Sequence, residues 1–176
     1  MLEEVETMSM TLEKAKALTD IIGTIFGVTG AIVAGFFAGY QYLEAKKAEQ
    51  IKETISFVNR LDAPVLHDSL ARLSKTWIIK EPEIDSHVNN KEDWNSFVIK
   101  VVSDHKLEND VISIIDYYKG LQLCVREEIC DRKTAIVFLK SDARTFYRLH
   151  YPFISQLRTS RNDPSFAVEL ESFVKG

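Results

Sequence analysis

Apolar residues run unbroken through one stretch of this chain and recur at helical spacing through most of the rest. Ile21 to Leu43 is a run of 23 residues without a charge, IIGTIFGVTGAIVAGFFAGYQYL. At 1.5 Å per residue a helix of that length reaches roughly 34 Å, enough for a hydrocarbon core of about 30 Å. The pattern therefore predicts a transmembrane helix over 21–43, preceded by an amino-terminal tail over 1–20. Five of the chain's seven glycines lie in this run. Gly23, Gly27, Ala31, Ala34 and Ala38 form a stripe of small residues, Gly35 and Gly39 a second small pair, and Gly30 adds to the same small-residue interface. Small residues let helix backbones approach closely, and close packing is a main source of association energy in lipid. Copies of this helix are expected to meet along these residues, as a pore-forming assembly or as a simple dimer. Thr24 and Thr29 are the polar side chains available to line a pore.

Beyond Leu43 the helical pattern continues as a stalk over 44–63, EAKKAEQIKETISFVNRLDA, up to Pro64. Ile51, Ile55 and Val58 recur at helical spacing and should pack on the soluble domain or on a neighbouring stalk. A cytoplasmic helical domain is then expected over 64–176. Pro64 suits the first turn of a helix reaching Ile79. The polar stretch Lys80–Glu92, with Pro82 and Asn89-Asn90, predicts a loop. Further helices are predicted over Asp93–Lys106 and Glu108–Ile129. On the second of these, Val111, Ile112, Ile115, Tyr118 and either Leu121 or Leu123 should face inward. The next helix begins near Asp131, a good N-cap, with Ala135, Leu139, Phe146, Leu149 and Phe153 as its apolar stripe. Pro152 disfavours helical backbone at Tyr151, so this helix should stop or kink there. Asn162-Asp163-Pro164 should open a last helix, PSFAVELESFVK. No segment alternates convincingly with period two, so the fold class is all-α.

Charge adds an orientation. The net charge is −4, and the tail carries five acids against Lys14 and Lys16. Lys46, Lys47, Lys52 and Arg60 follow the uncharged run, which places the carboxy-terminal domain in the cytoplasm by the positive-inside rule. The acidic amino terminus and the length of the run fit an uncleaved anchor better than a signal peptide. Cys124 and Cys130 match neither a CxxC pair nor a zinc pattern and read as two buried thiols in a reducing compartment. The region from Asp131 to Arg161 is locally basic. Its Arg132, Lys133, Arg148, Arg158 and Arg161 form either a solvated face or a contact for an anionic ligand or a second subunit.

Little in the chain points to enzyme chemistry. There is no dinucleotide or phosphate loop, no HExxH, no GxSxG and no spacing that calls for a metal or cofactor. One pair stands out. Arg144 and His150, in RTFYRLH, satisfy the R-x4–6-H spacing of HEPN domains, small helical bundles often acting as metal-independent ribonucleases. An imidazole can move a hydroxyl proton and a guanidinium can neutralise charge on a phosphate. Thr145 stands where active members usually carry an amide, an acid or an imidazole. On an ideal helix, residues six apart point about 120° away from each other. His150 and Arg144 are thus candidates for catalysis, for a degenerate binding site, or for ordinary structural roles.

The whole layout resembles the small membrane accessory proteins of type VI-B CRISPR systems: one amino-terminal span, a helical domain, and an R-x4–6-H element. Tyr117 to Val174 also resembles an uncharacterised bacterial helical domain often found behind a membrane span. The first resemblance implies a ring-shaped homo-oligomer, for which an octamer fits, forming a pore in the bacterial inner membrane. Such a pore would strengthen antiphage defence by depolarising the membrane, with the RNA-guided RNase or its RNA products as possible partners. A membrane-tethered HEPN-type ribonuclease and an anchored scaffold without its own activity are the alternatives.

Overall fold

The computed structural model describes residues 34–176. The tail, and the part of the predicted span holding Gly23, Thr24, Gly27, Thr29, Gly30 and Ala31, lie outside the described residues. Within them the chain forms six helices and no strand: α1 over residues 34–60, α2 Pro64–His87, α3 Lys91–Asp104, α4 Glu108–Arg126, α5 Arg132–Ser160 and α6 Val168–Lys175. The all-α expectation is met. Among the described residues no helix is long and apolar enough to cross a membrane.

The chain divides into two compact units, the first ending at Lys47 and the second comprising Ala48–Gly176. In the first, Ala34, Gly35, Ala38 and Gly39 are all exposed, and a Cβ added at Gly35 or Gly39 would meet nothing within 4 Å. Phe36, Phe37, Tyr42 and Leu43 expose between 61% and 78% of their surface. Tyr40 donates a hydrogen bond to Glu44 Oε1 one turn on, at 2.8 Å.

In the second unit, α4 packs on α2 and α6, and α5 on α3 and α6. Their shared core holds Ile114, Ile115, Leu121, Leu139, Ile154 and Leu170, each almost wholly buried. Residues 48–63 belong to this unit, and Phe57, Val58 and Leu61 pack against its core, whereas Ile55 is exposed. A smaller cluster of Trp77, Phe97, Val98 and Val101 joins α2 to α3. On α4 the buried face is Val111, Ile114, Ile115, Tyr117, Tyr118, Leu121 and Cys124. Ile112 and Leu123 are half-buried at its edge.

Both internal prolines are carried inside helices, against the expectation of a loop at 80–92 and a break at Tyr151. The reason is burial beyond each proline. Past Pro82, Ile84 joins the smaller cluster and His87 stacks on Phe97 with centroids 4.6 Å apart. Past Pro152, Phe153 and Ile154 are buried in the main core. The carbonyls left without an amide donor, four residues back, belong to exposed Ile78 and Arg148, where the loss is smallest. Asp131 caps α5 as expected, accepting from the Thr134 amide at 2.7 Å. Asn90 caps α3 through the Glu92 amide at 2.9 Å. The last helix begins later than expected, because Asp163 first holds a turn by accepting from Ser165 N and Oγ.

Candidate functional site

The structure separates Arg144 from His150. Both lie on α5, but Arg144 is exposed while His150 is 2% exposed, as the angle between positions six apart on a helix requires. Each imidazole nitrogen has a protein partner. Nδ1–H donates to the Phe146 carbonyl, one turn back, at 2.9 Å. Nε2 accepts from the Trp77 indole N–H on α2 at 3.1 Å. An indole nitrogen can only donate, so this pair fixes the neutral tautomer with its proton on Nδ1. The Trp77 ring meets the imidazole edge-on at 5.8 Å between centroids, and Phe146 covers it at 4.5 Å. Burial pushes the His150 pKa down to about 4, opposed in part by the Phe146 carbonyl, which favours the proton. A general base working near neutral pH needs a pKa close to that pH and a path to its substrate. In this chain His150 has neither, and it ties α5 to α2.

The basic residues divide into two groups. Arg158 is spent inside the fold: it donates to the Phe166 carbonyl and to Glu171 Oε2, both at 2.8 Å. Glu171 is held down to about 2 by Lys175 and Arg158. Arg161 lies over the Phe166 ring at 5.3 Å. Arg158 and Arg161 therefore anchor the segment leading into α6. Arg132, Lys133 and Arg148 are exposed on α5. On an ideal helix Lys133, Arg144 and Arg148 fall within about 60° of one another, and exposed Val137 and Tyr151 share that stripe. Arg144 thus groups with the exposed cations rather than with His150.

Three features escaped the sequence. The first is an ionic network between a buried carboxylate and an arginine at the surface. Asp110, 5% exposed, accepts from Ser69 Oγ at 2.9 Å and from Arg72 Nε at 3.0 Å. The Arg72 hydrogen bond holds the Asp110 carboxyl below its ordinary range. The second is a groove of about 350 Å³ between α2 and α3, lined by Lys80, Glu83, His87, Asp93, Lys100 and His105 among others. Its charges are of both signs, and among the described residues no group of three or more histidines, cysteines or acids could hold a metal. The third is a disulfide between Cys124 and Cys130, which corrects the reading of two buried thiols. The α4–α5 turn brings their Cα atoms to 5.1 Å, within bonding range. Spacing alone could not show that.

A model of a domain of unknown function, DUF4760, matches residues 28–176. The chain belongs to this family. The matched stretch contains Tyr117–Val174, the segment that resembles an uncharacterised helical domain. It also reaches back into the uncharged run and takes in all of α1 to α6. No curated protein and no solved structure matches the chain.

Proposed function

We propose that this DUF4760 protein is a single-span protein of the bacterial inner membrane whose copies assemble, through the 21–43 helix, into a pore that depolarises the membrane. In this reading the helical domain faces the cytoplasm, and the pore strengthens CRISPR antiphage defence alongside an RNA-guided RNase. The observation that carries the reading is the apolar exposure at 34–43. Phe36, Phe37, Tyr42 and Leu43 lie open beside exposed Gly35 and Gly39, at the end of a 23-residue run without charge. Contiguous apolar surface of this kind marks a membrane or protein contact.

The test is membrane potential in cells expressing the full chain, read with a voltage-sensitive dye. Gly27→Leu with Ala31→Leu should abolish depolarisation at unchanged membrane abundance. His150→Gln should leave it intact wherever the protein still accumulates. Depolarisation that persists in the Gly27/Ala31 variant would remove the pore. Burial of His150 weighs against the tethered ribonuclease.

The exposed cationic stripe of α5 favours a partner contact for the domain, with an anionic ligand such as RNA or with a second subunit. Arg144→Glu with Arg148→Glu should weaken that contact in a pull-down from cells, without the loss of fold expected of Arg158→Glu. Undiminished recovery of the partner would end this assignment.

A further inference from the structure

The α4–α5 turn is where the disulfide meets the helix that leads back to the apolar run. Inside the turn, the Ile129 and Cys130 amides both donate to the Cys124 carbonyl at 3.0 Å, and Glu128 adopts φ 55°. Outside it, the backbone on either side of Cys130 grips one turn of α1. Gln50 Nε2 donates to the Glu128 carbonyl at 2.6 Å. The Asp131 amide donates to Thr54 Oγ1 at 2.8 Å and to the Gln50 carbonyl at 3.2 Å. Thr54 is wholly buried, and its hydroxyl donates in turn to the Gln50 carbonyl at 2.8 Å. A cavity of about 490 Å³, with Gln50, Arg126 and Arg132 in its wall, has Cys130, itself 3% exposed, among its lining residues.

We infer that the Cys124–Cys130 turn is a thiol-sensitive clasp on residues 48–54. A thiolate entering by the cavity attacks Cys130 Sγ; the S–S bond breaks, and Cys124 leaves as a thiolate that takes a proton from water. A second thiol of the reductant then attacks the mixed disulfide and frees Cys130. The two cysteines gain two electrons and two protons, and the reductant becomes a disulfide. Glu128, a non-glycine residue at positive φ, loses the covalent restraint beside it. The Glu128 carbonyl and the Asp131 amide then no longer hold their register against Gln50 and Thr54. The consequence in the cell rests on the cytoplasmic placement proposed above, because disulfides facing a reducing cytosol are characteristically transient and redox-sensing. The chemistry of the clasp does not rest on it.

Hydrogen exchange of the full chain in detergent, before and after reduction with dithiothreitol, tests the clasp independently of any pore. Reduction should speed exchange of amides 48–54 and 128–131 at least tenfold while α3 stays unchanged. Cys124→Ser with Cys130→Ser should reproduce that pattern without reagent, and Gln50→Ala should loosen 48–54 with the disulfide intact. Equal exchange in both redox states would overturn the inference. So would a uniform rise that includes α3, which would make the bond a general staple. A mass count showing two free thiols that resist oxidation would overturn it as well. Where the double variant does not accumulate, reduced wild-type protein carries the test.

Discussion

His150 should make the stability of this protein depend on pH in a window where its paired carboxylates contribute no slope. The imidazole is neutral and buried in the fold, with its pKa lowered from 6.5 to about 4. Above the unfolded value neither state binds a proton there, and the stability is fully present. As the pH falls below 6.5 the unfolded chain takes up a proton that the folded chain refuses, so stability is lost until the folded value is reached. At about 1.4 kcal/mol per unit, the full loss is about 3 kcal/mol, of which about 2 kcal/mol falls between pH 7 and 5. Asp110 and Glu171 have pKa values lowered from 3.8 and 4.5, so their contributions start to fall only as the pH approaches those unfolded values, below the pH 7 to 5 range of the assay. The assay is urea unfolding at pH 7, 6 and 5, with wild type and His150→Gln side by side. Wild type should weaken by about 2 kcal/mol across the series. The variant starts less stable and should lose this slope. A wild-type stability that does not change, or a His150→Gln variant that keeps the slope, would refute a neutral buried imidazole. The second result would assign the slope to other groups.

Two further outcomes follow from the packing. Asp110→Ala should cost about 1–3 kcal/mol in the same unfolding assay, because it removes the acceptor of the buried Ser69 hydroxyl proton, leaving Ser69 Oγ only the Arg72 donor at 3.5 Å; a change well under 1 kcal/mol would mean that the network adds little beyond solvated charge. Lys106, exposed and at φ 55° between α3 and α4, should gain about 0.5–1 kcal/mol on replacement by glycine. A fall in melting temperature for Lys106→Gly would show that the lysine side chain contributes something the backbone argument omits.

Helix ends show how far the sequence could be read. Asp131 and Asn90 are capping residues placed before helical patterns, and the first was legible for that reason. The carboxy-terminal ends carry no such mark: α3, α4 and α5 close on Lys106, Glu128 and Asn162 at positive φ, and the expected ends at Lys106 and Ile129 run two and three residues past the observed Asp104 and Arg126. Each end pairs the amides of the last residues back onto carbonyls of the final turn: Leu107 to Val102, Ile129 to Cys124, and Asp163 to Arg158. This is the usual helix stop, built here without the glycine that normally marks it. Pro82 and Pro152 misled in the other direction. Local backbone preference says stop, but the apolar residues beyond them are worth more when buried.

The candidate site divides in the same way. Residue order by itself determined the uncharged run, the helical periodicity of the domain, the Asp131 cap and the angle between Arg144 and His150, because each depends on spacing along one helix. Only the tertiary structure decided what the two residues are. Trp77 lies 73 residues away from His150, and no local pattern could pair that indole with that imidazole. The same holds for Ser69 and Arg72 with Asp110, for Gln50 and Thr54 with the turn at 128–131, and for the joining of two cysteines six residues apart. Such partners are chosen when helices dock, since a buried polar group must find its hydrogen bond wherever the packing brings one within reach.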